Sequence, residues 1–195
     1  MRASEIIRNT KETAITLTLN LDGTGKSNIE TGCGFLDHML TLFAAHGRFD
    51  LAVKCQGDYQ VDFHHTVEDV GICLGLAFAE ALGDKRGITR YGSMILPMDE
   101  ALILTAIDFS GRAYLGWEMN IAAQKVGDFD TELAEEFWRA FAGNSLCTLH
   151  FRQFSGRNAH HIIECAFKSA ARSISQAVRI NPDYADEIPS TKGII

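Results

Sequence analysis

Two copies of one five-residue pattern carry the clearest chemical information in this sequence. Residues 64–68 and 160–164 both read His-His-x-x-Glu, and together they contain four of the seven histidines of the chain. Imidazole nitrogens and carboxylate oxygens are ligands that divalent transition metals take in proteins. Because the pattern occurs twice, the sequence predicts a metal centre that draws its ligands from two similar elements.

The spacing within each pattern separates the two histidines if the segment is helical. Residues three and four positions apart share one face of a helix, so Glu68 would lie beside both His64 and His65. Adjacent residues, however, point about 100° apart around the helix axis, so a single ion cannot easily take both imidazoles. Each pair is therefore predicted to serve two ions. Two octahedral shells need more ligands than the four imidazoles and two carboxylates of the patterns, so His38 and His150 are further candidates. The complete set of predicted metal ligands is His38, His64, His65, Glu68, His150, His160, His161 and Glu164.

Both patterns open long segments with helical periodicity. Apolar residues recur at positions i, i+3, i+4 and i+7 over residues 64–82 and 160–178, which predicts two amphipathic helices. A shift of 96 positions places Val67 on Ile163 and continues to match apolar positions along both helices. We interpret this similarity as an old duplication of one half of the chain.

Alternating and turn-forming residues predict the elements that would position these helices. Each half is predicted to run strand, strand, helix, strand, helix. Only three prolines and no low-complexity linker occur, so the halves 1–89 and 90–195 should pack as one unit, 1–195. The predicted class is α+β, with two antiparallel-rich sheets covering a layer of four helices. The predicted strands cover residues 14–21, 27–31, 49–55, 101–107, 114–117 and 148–154, and the predicted helices cover 34–45, 64–82, 131–142 and 160–178.

The composition narrows the classes of function. A formal net charge of −7 and an isoelectric point near 5.4 disfavour a nucleic-acid or anionic-membrane surface, because such surfaces need clustered Lys and Arg. The first residues form no hydrophobic signal core and no apolar run approaches the roughly 18 residues of a membrane span, so a cytoplasmic protein is expected. The five cysteines are odd in number and form no Cys-x-x-Cys pair, so they are predicted to be reduced packing residues.

Several short sequence segments, taken together with the histidine patterns, are specific enough to indicate a protein family. These segments are 8–13 (Arg-Asn-Thr-Lys-Glu-Thr), 31–40 (Thr-Gly-Cys-Gly-Phe-Leu-Asp-His-Met-Leu), 64–69, 97–102 (Pro-Met-Asp-Glu-Ala-Leu), 108–112 (Asp-Phe-Ser-Gly-Arg) and 189–193 (Pro-Ser-Thr-Lys-Gly). With them the sequence resembles the imidazoleglycerol-phosphate dehydratases of histidine biosynthesis over essentially its whole length. The resemblance implies a ribosomal protein S5 domain 2-like fold, in which the four-helix layer lies between two mixed four-stranded sheets. Because the chain starts at the family's first strand, a form without a fused phosphatase domain is expected.

The family resemblance implies an activity, a cofactor and an assembly. The implied reaction removes water from imidazole glycerol phosphate, a small phosphorylated imidazole, and gives imidazole acetol phosphate. The implied cofactor is Mn²⁺, two ions per active site, although Zn²⁺, Fe²⁺ and Co²⁺ bind similar ligands and the ligand types alone leave the metal open. The implied assembly is a 24-mer built from trimers, with active sites completed between subunits.

The chemistry of this reaction explains a need for metal ions. The proton to be removed lies on a side-chain carbon near the imidazole ring, where no carbonyl group makes it acidic. Two cations flanking the ring favour a metal-bound imidazolate, whose electrons can expel hydroxide and give a diazafulvene-like intermediate. Deprotonation of the neighbouring carbon then gives an enol, which becomes the ketone.

The resemblance also implies roles for individual residues. Glu12, His65 and His161 are the expected catalytic residues, with Glu12 transferring the proton, and Asp99 is a candidate for contact with the substrate hydroxyls. Lys168 has separate support, because it lies four residues after the glutamate of the second pattern and therefore on the same helix face. The expected phosphate-binding residues are Arg90, Arg112, Lys168, Ser190 and Lys192.

Leu42 and Ala113 depart from the family's pattern, and His46 lies near a predicted ligand. Leu42 stands where many relatives carry glutamine, so a substrate contact by that glutamine does not transfer to this chain. Ala113 stands where proline is common, a change expected to alter loop stiffness only slightly. His46 lies roughly two turns after His38 on the same helix face, where it is a candidate for supporting a ligand or transferring a proton.

Two other functions would use the same cluster of residues. A dinuclear metallohydrolase also needs His and Glu ligands and an activated water, and it would release phosphate or cleave an amide. A non-catalytic metal-binding module would have filled metal shells and would give no role to Glu12, Arg112 or Lys192.

Overall fold

The first half of the chain forms one sheet and two helices. The computed structural model describes residues 2–195. The elements in chain order are β1 (Ala3–Asn9), β2 (Thr13–Asn20), β3 (Ser27–Glu30), α1 (Gly34–Gly47), β4 (Asp50–Gly57) and α2 (His64–Leu82). The strands lie in the order β1-β2-β4-β3, in which β3 and β4 are parallel and the other pairs are antiparallel.

The second half repeats this arrangement with one insertion. Its elements are β5 (Tyr91–Met98), β6 (Ala101–Asp108), β7 (Tyr114–Glu118), β8 (Lys125–Val126), β9 (Phe129–Asp130), α3 (Leu133–Ser145), β10 (Thr148–Ser155), α4 (Ala159–Ala177) and a 3-10 helix at Pro182–Tyr184. The sheet order β5-β6-β10-β7 and the parallel pairing of β7 with β10 match the first half. The β8–β9 hairpin is inserted between β7 and α3, whereas three residues connect β3 to α1.

The four helices lie between the two sheets. α2 packs on the first sheet and on α3, while α4 packs on the second sheet and on α1. Strand β2 shows how the sequence produces this layer, because Ile15, Leu17 and Leu19 are at most 2% exposed and the side chains between them are exposed. Successive side chains of a strand point to opposite faces, so one face of the sheet meets the helices. The structure confirms the α+β class, the four helices and the two mixed four-stranded sheets.

Aromatic side chains join the two halves inside the helix layer. The ring of Trp138 on α3 lies 6.0 Å from Phe43 on α1 and 4.8 Å from Phe167 on α4, measured between centroids. Phe78 on α2 contacts Phe141 on α3 edge-on at 5.4 Å. All five side chains are fully or almost fully buried, and burial of such a side chain contributes about 1.5–3 kcal/mol. This core holds the two histidine patterns in defined positions relative to each other.

Two glycines allow α2 and α3 to approach closely. A Cβ atom on Gly71 would lie 2.6 Å from the backbone oxygen of Phe137, and a Cβ atom on Gly75 would lie 2.7 Å from that of Phe141. Real Cβ atoms essentially never lie under 3.0 Å from such atoms. A side chain at either position would therefore push α3 away from the helix that begins with the first histidine pattern.

The predicted order of elements needs one correction, because it omits the first strand of each half. The observed order in each half is strand, strand, strand, helix, strand, helix, apart from the β8–β9 hairpin. β1 and β5 are edge strands, and edge strands bury less of each face. In β1 the adjacent Ile6 and Ile7 break the alternation, and β5 contains Gly92 and Pro97, which are unfavourable in strand interiors.

The structure agrees with the predicted boundaries of the other elements and with the predicted state of the cysteines. The predicted boundaries of the remaining elements agree with the structure to within three residues, and the boundary between residues 89 and 90 falls between α2 and β5. All five cysteines are buried free thiols. Among the helices of the described residues, none is both long enough and apolar enough to cross a bilayer.

Candidate metal centre and active site

Three side chains of the predicted ligand set meet where α1 packs on α4. The Nε2 atoms of His38 and His160 lie 3.4 Å and 3.0 Å from Oε2 of Glu164. One ligand atom from each residue lies within 4.8 Å of the other two, and within residues 2–195 this is the only group of three or more potential ligands so arranged. We call these three residues the α4 cluster. One chain therefore assembles three of the eight predicted ligands.

The start of α4 is held by its capping residue and by packing. The side-chain oxygen of Asn158 accepts hydrogen bonds from the backbone N–H groups of His160 and His161. These N–H groups belong to the first turn and have no acceptor within the helix. Phe35 on α1 contacts the ring of His160 edge-on at 5.2 Å. The backbone and the ring of His160 are thus positioned by contacts within the chain.

Glu164 is the buried member of the α4 cluster, with 8% of its side chain exposed. Burial raises the pKa of this carboxyl group, but hydrogen bonds from Lys168 and His160 outweigh burial and hold the pKa below its ordinary value. The Nζ atom of Lys168 lies 2.5 Å from Oε1 of Glu164. The carboxylate is therefore ionised at neutral pH and can serve as a ligand for a cation.

The donor atoms of the α4 cluster fit a divalent first-row metal ion. Two imidazole nitrogens and one carboxylate oxygen are ligands that Mn²⁺, Fe²⁺, Co²⁺ and Zn²⁺ all accept. Three protein ligands fill half of an octahedral shell, which leaves room for further ligands and for a substrate atom. The structure thus supports a metal-binding role for these residues.

His65 lies between two carboxylates at the start of α2. Its Nδ1 is 2.9 Å from Oδ2 of Asp58, which belongs to the loop between β4 and α2. Its Nε2 is 3.8 Å from Oε1 of Glu12, which belongs to the turn between β1 and β2. The hydrogen bond with Asp58 raises the pKa of His65 above its ordinary value, and the charge of Glu12 adds to the effect. Two predicted catalytic residues, Glu12 and His65, are therefore neighbours.

His161 has the same kind of surroundings at the start of α4. Its Nδ1 is 2.7 Å from Oε2 of Glu100, and its Nε2 is 3.7 Å from Oδ2 of Asp99. Both acidic residues belong to the turn between β5 and β6. The hydrogen bond with Glu100 raises the pKa of His161. The same bond, together with backbone N–H groups of Asn158 and Arg157, lowers the pKa of Glu100 to about 2.

Three predicted ligands lie outside these groups. His64 and Glu68 are half-buried on α2. The rings of His64 and His65 have centroids 6.1 Å apart and are almost perpendicular, at 88°. His150 is exposed on β10, where its ring lies 5.3 Å from that of Tyr114. One chain therefore does not bring His64, Glu68 and His150 to the α4 cluster.

Arg90 connects the second sheet to the C-terminal segment. Its Nε and Nη2 donate to the two carboxylate oxygens of Asp108 at 2.7 and 3.2 Å, and its Nη1 donates to the carbonyl oxygen of Pro189 at 2.8 Å. The hydrogen bond with Asp108 raises the pKa of Arg90. The predicted phosphate ligand thus also holds the segment that carries two others, Ser190 and Lys192.

Arg112 lies close to the same segment. A Cβ atom on Gly111 would lie 3.0 Å from the backbone of Ile195, so the end of the chain reaches the loop that carries Arg112. The backbone N–H of Lys192 donates to Oγ of Ser190 at 3.2 Å, which shapes the turn between them. Four of the five predicted phosphate ligands therefore share one region. We call this region the basic corner; it consists of Arg90, Arg112, Ser190 and Lys192.

The basic corner and the α4 cluster lie at opposite ends of α4. The backbone N–H of Arg90 donates to the carbonyl oxygen of Ala177, the last residue of α4. Glu164 lies 13 residues earlier, which corresponds to about 20 Å along a helix. Lys168, the fifth predicted phosphate ligand, lies beside Glu164 and not in the basic corner.

Two acidic residues of the site were missing from the sequence predictions. Asp58 and Glu100 each bond the Nδ1 atom of a predicted ligand. Glu100 lies in the segment 97–102, which carries part of the family resemblance, and its place beside Asp99 was the available signal. Asp58 precedes His65 by seven residues, and this spacing does not predict a contact, because the path of the loop between them does not follow from the sequence.

Comparisons with known proteins fit this arrangement. A family model described as imidazoleglycerol-phosphate dehydratase matches residues 31–174. The chain belongs to the imidazoleglycerol-phosphate dehydratase family. It is 56% identical to the imidazoleglycerol-phosphate dehydratase of Xanthobacter autotrophicus over 195 residues, which cover 100% of this chain and 99% of the relative. It is 55% identical to that of Gluconacetobacter diazotrophicus over 194 residues, covering 100% and 98%.

Solved structures from this family have the same fold. The imidazoleglycerol-phosphate dehydratase of Staphylococcus aureus has a TM-score of 0.84 and 40% identity, with 92% of this chain and 99% of that chain covered. The enzyme of Pyrococcus furiosus has a TM-score of 0.84 and 37% identity, with 97% and 100% covered. The family resemblance predicted from the sequence is therefore confirmed.

Proposed function

We propose that this protein removes water from imidazole glycerol phosphate and forms imidazole acetol phosphate, a step of histidine biosynthesis. Family membership over the whole length of the chain supports this reaction. The observation that carries the proposal is the α4 cluster, His38 with His160 and Glu164, which offers metal ligands at the start of a helix whose histidine pattern occurs twice. The family's reaction and the chemistry of these ligands agree.

The α4 cluster is proposed to hold one of two Mn²⁺ ions. When bound, the ions would stabilise the negative charge that develops on the substrate imidazole. The chain prepares for this by holding His160 through the Asn158 cap and by keeping Glu164 ionised. The remaining predicted ligands would complete this shell and that of the second ion from more than one subunit, with each pair of adjacent histidines divided between the two ions; they are His64, His65, Glu68, His150 and His161.

Glu12 is proposed to take the proton from the side-chain carbon next to the one that loses hydroxide. Its side chain is 52% exposed and its carboxylate lies 3.8 Å from Nε2 of His65, so a substrate bound near His65 would come within reach of it. Asp99 lies 3.7 Å from Nε2 of His161, where it can accept a hydrogen bond from a substrate hydroxyl group. Each histidine pattern therefore has an acidic side chain from a strand–strand turn beside it.

The separation of the basic corner from the α4 cluster supports active sites shared between subunits. The imidazole and the phosphate of the substrate are joined by three carbon atoms, so the molecule spans at most about 10 Å. The two regions of one chain are about twice as far apart along α4. Lys168 can reach the phosphate from the metal side, whereas the basic corner would have to come from another copy. This division agrees with the proposed 24-mer of trimers.

Manganese as the native metal and a cytoplasmic location complete the proposal. Mixed imidazole and carboxylate ligands with open positions suit Mn²⁺ better than a closed tetrahedral zinc site does. The five buried free thiols are compatible with a reducing compartment.

The product of the reaction tests the proposed function. Manganese-loaded protein incubated with imidazole glycerol phosphate is expected to form imidazole acetol phosphate without releasing inorganic phosphate, and chelator-treated protein should form none. His161→Ala should lose turnover and bind less metal. Release of inorganic phosphate without the acetol product would instead indicate a metallohydrolase. Tight metal binding without either product would indicate a non-catalytic module.

A further inference from the structure

His65 and His161 present the same ring nitrogen to the site. In both, Nδ1 lies within hydrogen-bond distance of a carboxylate oxygen, at 2.9 Å from Asp58 and 2.7 Å from Glu100. An ionised carboxylate can only accept a hydrogen bond, so Nδ1 must carry the proton. In a neutral imidazole the lone pair then lies on Nε2, which faces Glu12 in one case and Asp99 in the other.

Glu100 is held more firmly than a single contact would hold it. Its Oε1 accepts hydrogen bonds from the backbone N–H groups of Arg157 at 3.1 Å and Asn158 at 2.8 Å, just before α4 begins. Its Oε2 accepts from Nδ1 of His161. Both oxygens therefore act as acceptors, and the carboxylate connects the β5–β6 turn, the α4 start and the imidazole ring.

Asp58 has a different set of contacts. Its Oδ2 is bonded to Nδ1 of His65, whereas its Oδ1 is buried and has no hydrogen-bond partner among the described residues. A buried acceptor without a partner costs free energy. The contact with His65 is thus the main polar interaction that this side chain makes, and a purely structural reason for an acidic residue here is weak.

The two carboxylates come from elements that the duplication does not relate. Asp58 belongs to the loop that leads from β4 into α2, whereas Glu100 belongs to the turn between β5 and β6. The contact between a carboxylate and Nδ1 has therefore arisen in two ways, although the histidine patterns themselves repeat. A geometric requirement at both histidines explains this better than common descent of the two halves does.

We propose that Asp58 and Glu100 are positioning residues that orient the imidazoles of His65 and His161 and keep Nε2 free to act as the ligand atom. A carboxylate that accepts from the other ring nitrogen orients a metal-binding histidine and increases its basicity. The inference rests on the proposed function, because it assumes that these histidines bind metal. Asp58 and Glu100 would then belong to the site although neither of them would touch the metal or the substrate.

The contacts predict different results for the two amide variants. In Asp58→Asn the amide group can take the place of the unpartnered Oδ1 while the remaining oxygen still accepts from His65, so metal affinity should stay within about tenfold of wild type. In Glu100→Gln the amide group must face either His161 or two backbone N–H groups, all of which are donors. Metal affinity should therefore fall by about 10- to 100-fold, as in Asp58→Ala and Glu100→Ala.

The measurement is the affinity for Mn²⁺ alone, from the electron paramagnetic resonance signal of the free ion, on fully assembled protein without substrate. The matched control is Glu135→Gln, which removes an acidic group that pairs with Arg139 on α3 and should bind Mn²⁺ like wild type. Thermal unfolding of the metal-free variants separates loss of fold from loss of affinity.

Wild-type Mn²⁺ affinity in Glu100→Gln and Asp58→Ala, with normal folding, would overturn the proposal. Equal losses in Asp58→Asn and Asp58→Ala would also contradict it, because the retained hydrogen bond would then have no effect. If Asp58→Ala does not fold, Glu100→Gln alone decides the outcome. Failure of the proposed function would look different, since wild-type protein would bind Mn²⁺ and form no acetol product.

Discussion

The carboxylates around the two histidine patterns differ in how firmly they are held. Glu164 is 8% exposed and is bonded by Lys168 and His160, so its oxygens have defined positions. Glu12 and Asp99 are 52% and 75% exposed and lie almost 4 Å from the nearest imidazole nitrogen. A buried and bonded carboxylate suits a metal ligand, whereas an exposed one can move toward a substrate and exchange a proton with it.

Glu12→Gln is expected to lower kcat while leaving the manganese content unchanged. The amide has the size of the carboxyl group but cannot take up a proton, and a positioned acid or base contributes about 10²- to 10⁴-fold to the rate. Turnover and bound Mn²⁺ should be measured on the same preparation. Glu5→Gln, an exposed acidic group on the neighbouring strand β1, should change neither value. A Glu12→Gln protein with wild-type kcat would place the proton transfer on another residue.

At the level of single residues, the sequence predicted groups that helical spacing relates. His160 and Glu164 are four positions apart on α4, and they contact each other as expected. Asp58 and Glu100 escaped prediction because each reaches its histidine from a loop or turn. The path of such a segment depends on packing against the rest of the fold, and the spacing of residues does not reveal it.

At the level of elements, close packing of α2 on α3 places the first histidine pattern. Gly71 and Gly75 lie one helical turn apart and bring the backbone of α3 against α2. The β8–β9 hairpin has a similar role for the second pattern, because Phe129 packs on Phe35, which in turn contacts His160. The positions of both histidine patterns thus depend on neighbouring residues that take no part in the proposed reaction.

Gly75→Ala should destabilise the protein although alanine favours helices. The new Cβ atom would lie 2.7 Å from the backbone oxygen of Phe141, and overpacking of this kind costs about 1–3 kcal/mol. Gly143→Ala on α3 is the matched control, since its Cβ atom would meet nothing within 4 Å and should add about 0.5–1 kcal/mol of stability. Chemical unfolding of the metal-free proteins measures both. A Gly75→Ala protein as stable as wild type would mean that α3 can move without cost.

Helices, central strands and the edge strands β3 and β7 were predictable from the sequence, whereas the edge strands β1 and β5 and the β8–β9 insertion were not. The periodicity of residues 64–82 reproduces α2 because a buried face imposes it on the sequence. In β1 the adjacent Ile6 and Ile7 break the alternation of apolar and polar residues, and β5 contains Gly92 and Pro97, which are unfavourable inside a strand. β8 and β9 have two residues each, which is too short for any pattern to be detected.

At the level of the whole molecule, the fold separates the two parts of the proposed active site. The basic corner lies at the C-terminal end of α4 and the α4 cluster at its start. From the sequence alone, shared sites followed only from the family resemblance. The structure supplies a physical reason, because the substrate is too short to reach both regions of one chain.

This central claim predicts that two inactive variants restore each other's activity. Glu164→Gln disables the α4 cluster and Arg112→Ala disables the basic corner, and each assembly alone should be inactive. Equal amounts of both chains should be unfolded and refolded together with Mn²⁺, and turnover of imidazole glycerol phosphate measured. If each site takes the two regions from different copies, random mixing leaves about a quarter of the sites intact, so about a quarter of wild-type turnover is expected. A mixed assembly of normal size that remains inactive would contradict the account.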